Sequence, residues 1–344
     1  GPSSLFSQYQ DKLIVRTSTY DHGYELGVYD GQKGEMILDL DIHQAPNGST
    51  PFYIDQNLTI YNDDLYFVAD DGIHGEELWV YEKAKNDSRL VKNINTTAGS
   101  GNIRNSTPQE LTVVANKLYF TANDGIHGRQ LWQYDASTKL TSMLSHFNPG
   151  HSYNDNIKNI INYNEKLYLT VADGNYYKLF CYQCNDNEDS EPFTFINYVA
   201  HNYYHQLFVF DGNLIFTKST INDDYALMAY DDSNKEATEL VITDGMPKQF
   251  AVYQDRLFYT TTNSNNLFYY DKNNSSQSIA MDFNSLNVFI KSDNMVTYNN
   301  ALYFIAGNQD EGAELWRFSG EVGAASQVSG IPGKKPSGGY LTIY

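Results

Sequence analysis

Two short stretches carry the residue types best suited to chemistry. Asp71-Gly72-Ile73-His74-Gly75 runs into Glu76, and Asp124-Gly125-Ile126-His127-Gly128 runs into Arg129. A carboxylate, an imidazole and a further charged side chain held this close could take a polar ligand. The same residues also suit a tight loop. Glycines supply positive φ, and Asp71 and Asp124 can accept backbone N–H groups. Asp71, His74, Glu76, Asp124, His127 and Arg129 are therefore the candidate ligand-binding residues, on a loop whose first duty is structural.

Other constellations are weaker. Paired acids occur at Asp39 and Asp41, Asp63 and Asp64, Asp70 and Asp71, and Asp223 and Asp224. A glycosidase needs two carboxyls at a set separation across a pocket, which sequence spacing does not establish. No G-x-S-x-G, H-E-x-x-H, P-loop or sialidase Asp-box is present. Asn185–Glu191 alternates oxygen ligands like part of a calcium loop but lacks the glycine and the final bidentate Glu. No cofactor and no metal site is expected, with calcium as the one ion left open. The two cysteines, Cys181 and Cys184, fall on an expected strand, where positions three apart face opposite sides. A lone C-x-x-C could be a redox pair, half a zinc site or a disulfide; with no helix N-terminus and no second cysteine pair, these two are read as structural or incidental. N-x-S/T sequons at Asn47, Asn57, Asn86, Asn95, Asn105, Asn273 and Asn274 permit a secretory origin.

Composition narrows the classes. The chain has 344 residues, a net charge of −19 and 15% aromatic residues. Such acidity repels a phosphate backbone, so no nucleic-acid partner is expected. No apolar run is long enough for a membrane helix, so no membrane insertion is expected. Gly1–Ser4 reads as the scar of a protease cleavage and is set aside, leaving residues 5–344 as one domain.

The elements that must position the loops are strands. Leu58–Glu82 and Leu111–Asp135 are near copies, LTIYNDDLYFVADDGIHGEELWVYE and LTVVANKLYFTANDGIHGRQLWQYD. Their frame recurs along the chain. Middle-strand anchors stand at Leu13, Leu65, Leu118, Leu167, Leu214, Leu257 and Leu302, preceded by inner anchors Leu58, Leu111, Ile160, Leu207, Phe250 and Met295. Third-strand anchors follow at Leu26, Leu78, Leu131, Leu179, Leu227, Leu267 and Leu315. Three residues beyond each comes an aromatic: Tyr29, Tyr81, Tyr134, Tyr182, Tyr230, Tyr270 and Phe318. A fourth strand is expected over Ile37–Asp41, Arg89–Ile94, Leu140–Leu144 and Glu239–Ile242. Four strands repeated at this period predict an all-β, seven-bladed β-propeller of four-stranded antiparallel blades. The anchor pattern leaves the first blade without an inner strand, and Tyr340–Tyr344, YLTIY, repeats the inner-strand pattern. Leu341 and Ile343 are therefore expected to close the ring against Leu13–Thr17. Trp79, Trp132 and Trp316 hold repeated strand positions and are expected to pack between blades.

The segments Glu77-Leu78-Trp79, Gln130-Leu131-Trp132 and Glu314-Leu315-Trp316, with the D-G-x-x-G loops before the first two, resemble the ELWxxDGT (hyalin-like) repeat family. The following D-G-T is missing after the first two Trp. The resemblance implies propeller-like repeats in secreted or surface proteins, and implies no reaction. The function expected is a non-catalytic interaction module that presents its loop-rich face to a protein or glycan partner, outside the cell or on its surface. The alternatives are a carbohydrate-active enzyme with acids in a central pocket and an intracellular scaffold or effector.

Overall fold

A computed structural model describes residues 6–9, 12–19, 23–30, 35–40, 58–85, 87–97, 105–147, 157–173, 176–184, 191–199, 206–219, 224–285, 288–290, 295–308, 312–323 and 325–328. The chain divides into two compact units, one of residues 2–173 and 180–195, the other of residues 174–179 and 196–344 together with residue 1. The described residues contain strands and no α-helix, and so no helix that could cross a membrane.

In the first unit, β1 (Phe6–Tyr9), β2 (Lys12–Thr19), β3 (Gly23–Asp30) and β4 (Glu35–Leu40) form one sheet in chain order. The next sheet is β5 (Thr59–Tyr61), β6 (Asp64–Asp70), β7 (Glu76–Glu82) and β8 (Asp87–Lys92). The third is β9 (Gln109–Val114), β10 (Lys117–Asn123), β11 (Arg129–Asp135) and β12 (Leu140–Met143). A fourth sheet is β13 (Ile157–Tyr163), β14 (Lys166–Asp173), β15 (Tyr176–Tyr182) and β16 (Phe193–Val199).

The second unit holds three more sheets. One is β17 (Phe208–Phe210), β18 (Asn213–Ser219), β19 (Tyr225–Asp231) and β20 (Glu236–Thr243). Another is β21 (Pro247–Tyr253), β22 (Arg256–Thr261), β23 (Leu267–Asp271) and β24 (Ser276–Met281). The last is β25 (Phe289–Ile290), β26 (Val296–Tyr298), β27 (Ala301–Asn308), β28 (Gly312–Phe318) and β29 (Ala325–Gln327). There β25 and β26 both pair with β27 at different heights, so the first strand is one strand in two pieces.

The first sheet corrects one expectation. β1 pairs with β2, Phe6 opposite Val15 and Tyr9 opposite Lys12, so this sheet already has its inner strand. Leu341 and Ile343 lie outside the described residues.

The repeated anchors have a direct structural meaning. Six of the seven middle anchors face the aromatic of the third strand in the described register: Leu13 opposite Tyr29, Leu65 opposite Tyr81, Leu118 opposite Tyr134, Leu214 opposite Tyr230, Leu257 opposite Tyr270, and Leu302 opposite Phe318. Cross-strand pairs of this kind are the unit of sheet stability, which is why the spacing repeats. The first two strands are joined by two-residue turns with both residues at positive φ: Asn62-Asp63, Ala115-Asn116, Asn164-Glu165, Asp211-Gly212, Gln254-Asp255 and Asn299-Asn300. That is the type I′ hairpin, whose twist matches the strands it joins.

Cores form where consecutive sheets pack. Tyr61, Tyr66, Leu78 and Val80 meet Leu118, Phe120, Trp132 and Tyr134 in the first unit. Phe210, Ile215 and Leu227 meet Phe250, Leu257 and Tyr259 in the second. Threonines latch first strands together: Thr59 Oγ1 donates to the Leu111 carbonyl (3.0 Å), Thr112 Oγ1 to that of Ile160 (3.2 Å) and Thr297 Oγ1 to that of Val252 (2.8 Å).

Candidate functional site

The two D-G-I-H-G loops join β6 to β7 and β10 to β11. Each is built around its aspartate. Asp71 Oδ1 accepts the N–H groups of Ile73 (2.9 Å) and His74 (2.8 Å), and Asp124 Oδ1 accepts those of Ile126 (2.9 Å) and His127 (2.8 Å). The other oxygen reaches the imidazole: Oδ2 to Nδ1 is 2.6 Å in both loops. An ionised carboxylate can only accept, so Nδ1 carries the proton and Nε2 is left as the acceptor or ligand nitrogen. Partial burial pushes both aspartates up, but the backbone N–H groups and the imidazole outweigh it and hold them below the ordinary carboxylate range. The four glycines have φ of 75° to 81°. At Gly125 a Cβ would come within 2.5 Å of Thr97 Oγ1, so glycine is required there for space as well as φ.

The loops end on a buried clamp that the motif reading left without a role. Glu77 and Gln130 are both 0% exposed. Glu77 Oε1 accepts the Asn95 N–H (3.0 Å), and Oε2 accepts the Ile94 N–H (3.1 Å) and the Ser106 hydroxyl (2.5 Å). Burial pushes its carboxyl up to about 7, against these hydrogen bonds. Gln130 Oε1 accepts from Ser145 Oγ (2.8 Å) and the Phe147 N–H (2.9 Å), while Nε2 donates to the carbonyls of His127 (2.9 Å) and Phe147 (2.8 Å). Each clamp fastens the chain leaving its sheet to the start of the third strand, and Gln130 also holds its loop at the His127 carbonyl.

Of the six candidate residues, Asp71, His74, Asp124 and His127 form two partly exposed carboxylate–imidazole pairs. The other two, Glu76 and Arg129, are buried, at 6% and 4% exposed. The Glu76 carbonyl accepts the N–H groups of Ser106 (3.0 Å) and Thr107 (3.1 Å), and burial raises its carboxyl. Arg129 Nη1 donates to the Thr107 carbonyl (2.9 Å) and to Thr121 Oγ1 (3.0 Å). Sequence reasoning also passed over Glu110 on β9. Its carboxyl is raised by burial, and its Oε2 accepts the Ile160 N–H of the next sheet (3.3 Å). His146, beside the Gln130 clamp, was passed over as well.

Trp79 and Trp132 are 9% and 7% exposed, in keeping with the expected packing. Trp132 Nε1 donates to the Ala122 carbonyl (3.2 Å), and the partly buried Trp316 does the same to Ala306 (3.1 Å). The Trp79 indole N–H is buried with no partner among the described residues. The cysteines form a disulfide. β15 ends at Tyr182, and Gln183 at φ 53° turns the chain, which brings Cys184 to a Cα separation of 5.7 Å from Cys181. Because the strand stops, the opposite-face argument does not apply. Two sequons are used internally: Asn95 Nδ2 donates to the Asn105 carbonyl (3.1 Å), and Asn105 Oδ1 accepts the Glu76 N–H (3.0 Å). Among the described residues no three His, Cys, Asp or Glu groups converge on a metal position. The acidic run at 185–190 lies outside them.

No family model and no curated protein matches the sequence. Solved structures do resemble the fold. The β-propeller domain of the Trilobed protease from Pyrococcus furiosus, which has an open velcro topology, matches with a TM-score of 0.52 at 12% identity, over 97% of this chain and 100% of that one. A Mycobacterium tuberculosis puromycin-hydrolyzing peptidase matches at 0.57 and 10% identity, over 97% of this chain and 54% of its own. A prolyl endopeptidase matches at 0.55 and 8% identity, over 94% and 49%. This chain thus spans about half the length of the last two. At these identities the likeness is one of fold, and the fold is a β-propeller built of four-stranded antiparallel sheets. The three named propellers belong to peptidases, so the likeness lends no support to the expected non-catalytic interaction module.

Proposed function

We propose that this chain is the propeller part of a peptidase-type enzyme, with its seven sheets as blades. The supporting observation is the fold likeness to peptidases over 94–97% of the chain. On this reading the propeller binds and selects the peptide presented to the remainder of such an enzyme. The net charge of −19 sets the preference, favouring neutral and basic peptides and repelling acidic ones. The blades need no exchanged strand, because β1 to β4 complete the first sheet from consecutive chain. That arrangement supports an open ring like the one in the Trilobed protease. The Cys181–Cys184 disulfide supports an oxidising, extracellular or surface setting.

The test is a panel of fluorescently labelled peptides of graded charge, followed by anisotropy, beside hydrolysis assays on aminoacyl- and peptidyl-amidomethylcoumarins and puromycin. Saturable binding that strengthens with peptide positive charge and weakens with salt is expected. Neither binding nor hydrolysis across the panel would overturn the assignment.

A further inference from the structure

We propose that His127 and His146 form a surface site for one imidazole-seeking divalent transition ion, such as Zn²⁺, Cu²⁺ or Ni²⁺. The rings stand 5.7 Å apart between centroids, at 80° to each other. With metal–nitrogen bonds of about 2.0–2.1 Å, two imidazoles sharing one ion have centroids about 4.5–6.4 Å apart, depending on the ligand angle. The observed spacing falls inside that range. His127 is already prepared as a ligand. Its Nδ1 is held by Asp124 Oδ2 at 2.6 Å, which fixes the tautomer and leaves Nε2 to bind the ion. A carboxylate behind a histidine is the usual support of a metal ligand. Both rings are reachable: the His127 side chain is 36% exposed and His146 is exposed. Two protein nitrogens leave the remaining coordination positions to water, which imidazole-binding ions of this series accept.

The first repeat supplies an internal control. His74 has the same aspartate partner at the same 2.6 Å. The two copies share one register, Trp79 opposite Leu90 and Trp132 opposite Met143, so Asn93 stands where His146 does. Its side chain is an amide, not an imidazole. One loop has a second imidazole and the other lacks it.

Titration calorimetry with zinc chloride on the full chain tests the site, with thermal melts to verify that each variant is folded. The unmodified chain and His74→Ala are expected to bind one equivalent with equal affinity. His127→Ala and His146→Ala are each expected to lose that equivalent. Asp124→Asn keeps an oxygen for the loop N–H groups but turns an amide donor toward Nδ1, which favours the wrong tautomer. It should weaken binding about 10- to 100-fold, as removal of a supporting carboxylate does. Zinc binding that survives both histidine variants, that is lost equally in His74→Ala, or that is absent from the unmodified chain would overturn the proposal.

Discussion

The sheets β5–β8 and β9–β12 are near copies, and they differ where it costs most. The same buried socket holds Glu77 in one and Gln130 in the other. Glu77 meets only donors, two backbone N–H groups and the Ser106 hydroxyl. Gln130 meets two donors and two carbonyls. An acid suits the first socket by hydrogen bonding, yet burial opposes its charge. The amide suits the second without that conflict. Hydrogen-bond count alone therefore does not rank the two clamps; the charge each must bury does.

The comparison can be broken in four ways. The largest effect is expected from the indoles above the clamps. Trp79→Ala and Trp132→Ala should each lower unfolding free energy by about 3–5 kcal/mol in urea melts, and a loss in only one sheet would show that the copies do not share a packing role. Next, Gln130→Glu places a carboxylate against the carbonyls of His127 and Phe147. It should cost about 3 kcal/mol at pH 8 and less at pH 5, where the acid can be neutral; a pH-independent cost would sink this account.

Third, Glu77 should give the protein a pH slope. Its folded carboxyl titrates near 7, above its ordinary 4.5, so the folded state binds the proton more tightly than the unfolded state. Its contribution is fully present below about pH 4.5 and is lost as pH rises to about 7. Glu77→Gln should remove this slope. Across that window the variant should gain up to about 3 kcal/mol relative to the parent, and parallel stability curves would refute the assignment. The smallest effect separates the indole N–H groups. Trp132→Phe loses the bond to Ala122 and should cost about 1 kcal/mol more than Trp79→Phe, whose N–H has no partner among the described residues.

The frame of this fold was legible because its strongest signal is local. Leu65 and Tyr81 recur at fixed spacing because they face each other across one hairpin, and so do Leu118 and Tyr134. Turn chemistry was equally visible in Asn62-Asp63 and Asp211-Gly212. The clamps were not legible, since Glu77 reaches Ser106 through a connection whose path no periodicity encodes. Nor was the burial of Glu76 and Arg129, because a charged side chain at the first position of a strand gives no sign of facing inward. β1 was missed because FSQY carries none of the repeated anchors. The disulfide, one of the options a lone C-x-x-C leaves open, was not singled out because nothing in the spacing shows that the strand ends at Tyr182, two residues before Cys184.

The contiguity of the sheets has a kinetic consequence. Every sheet is assembled from neighbouring strands in chain order, and tight turns join most first and second strands. Few long loops must therefore close before a sheet exists, which keeps contact order low for an all-β chain. During synthesis each sheet can form soon after its last strand emerges. The slow events are then the docking of one finished sheet on the next, where Tyr61, Trp132 and their neighbours are buried. Substitutions in those docking faces should slow folding more than substitutions in the hairpin turns.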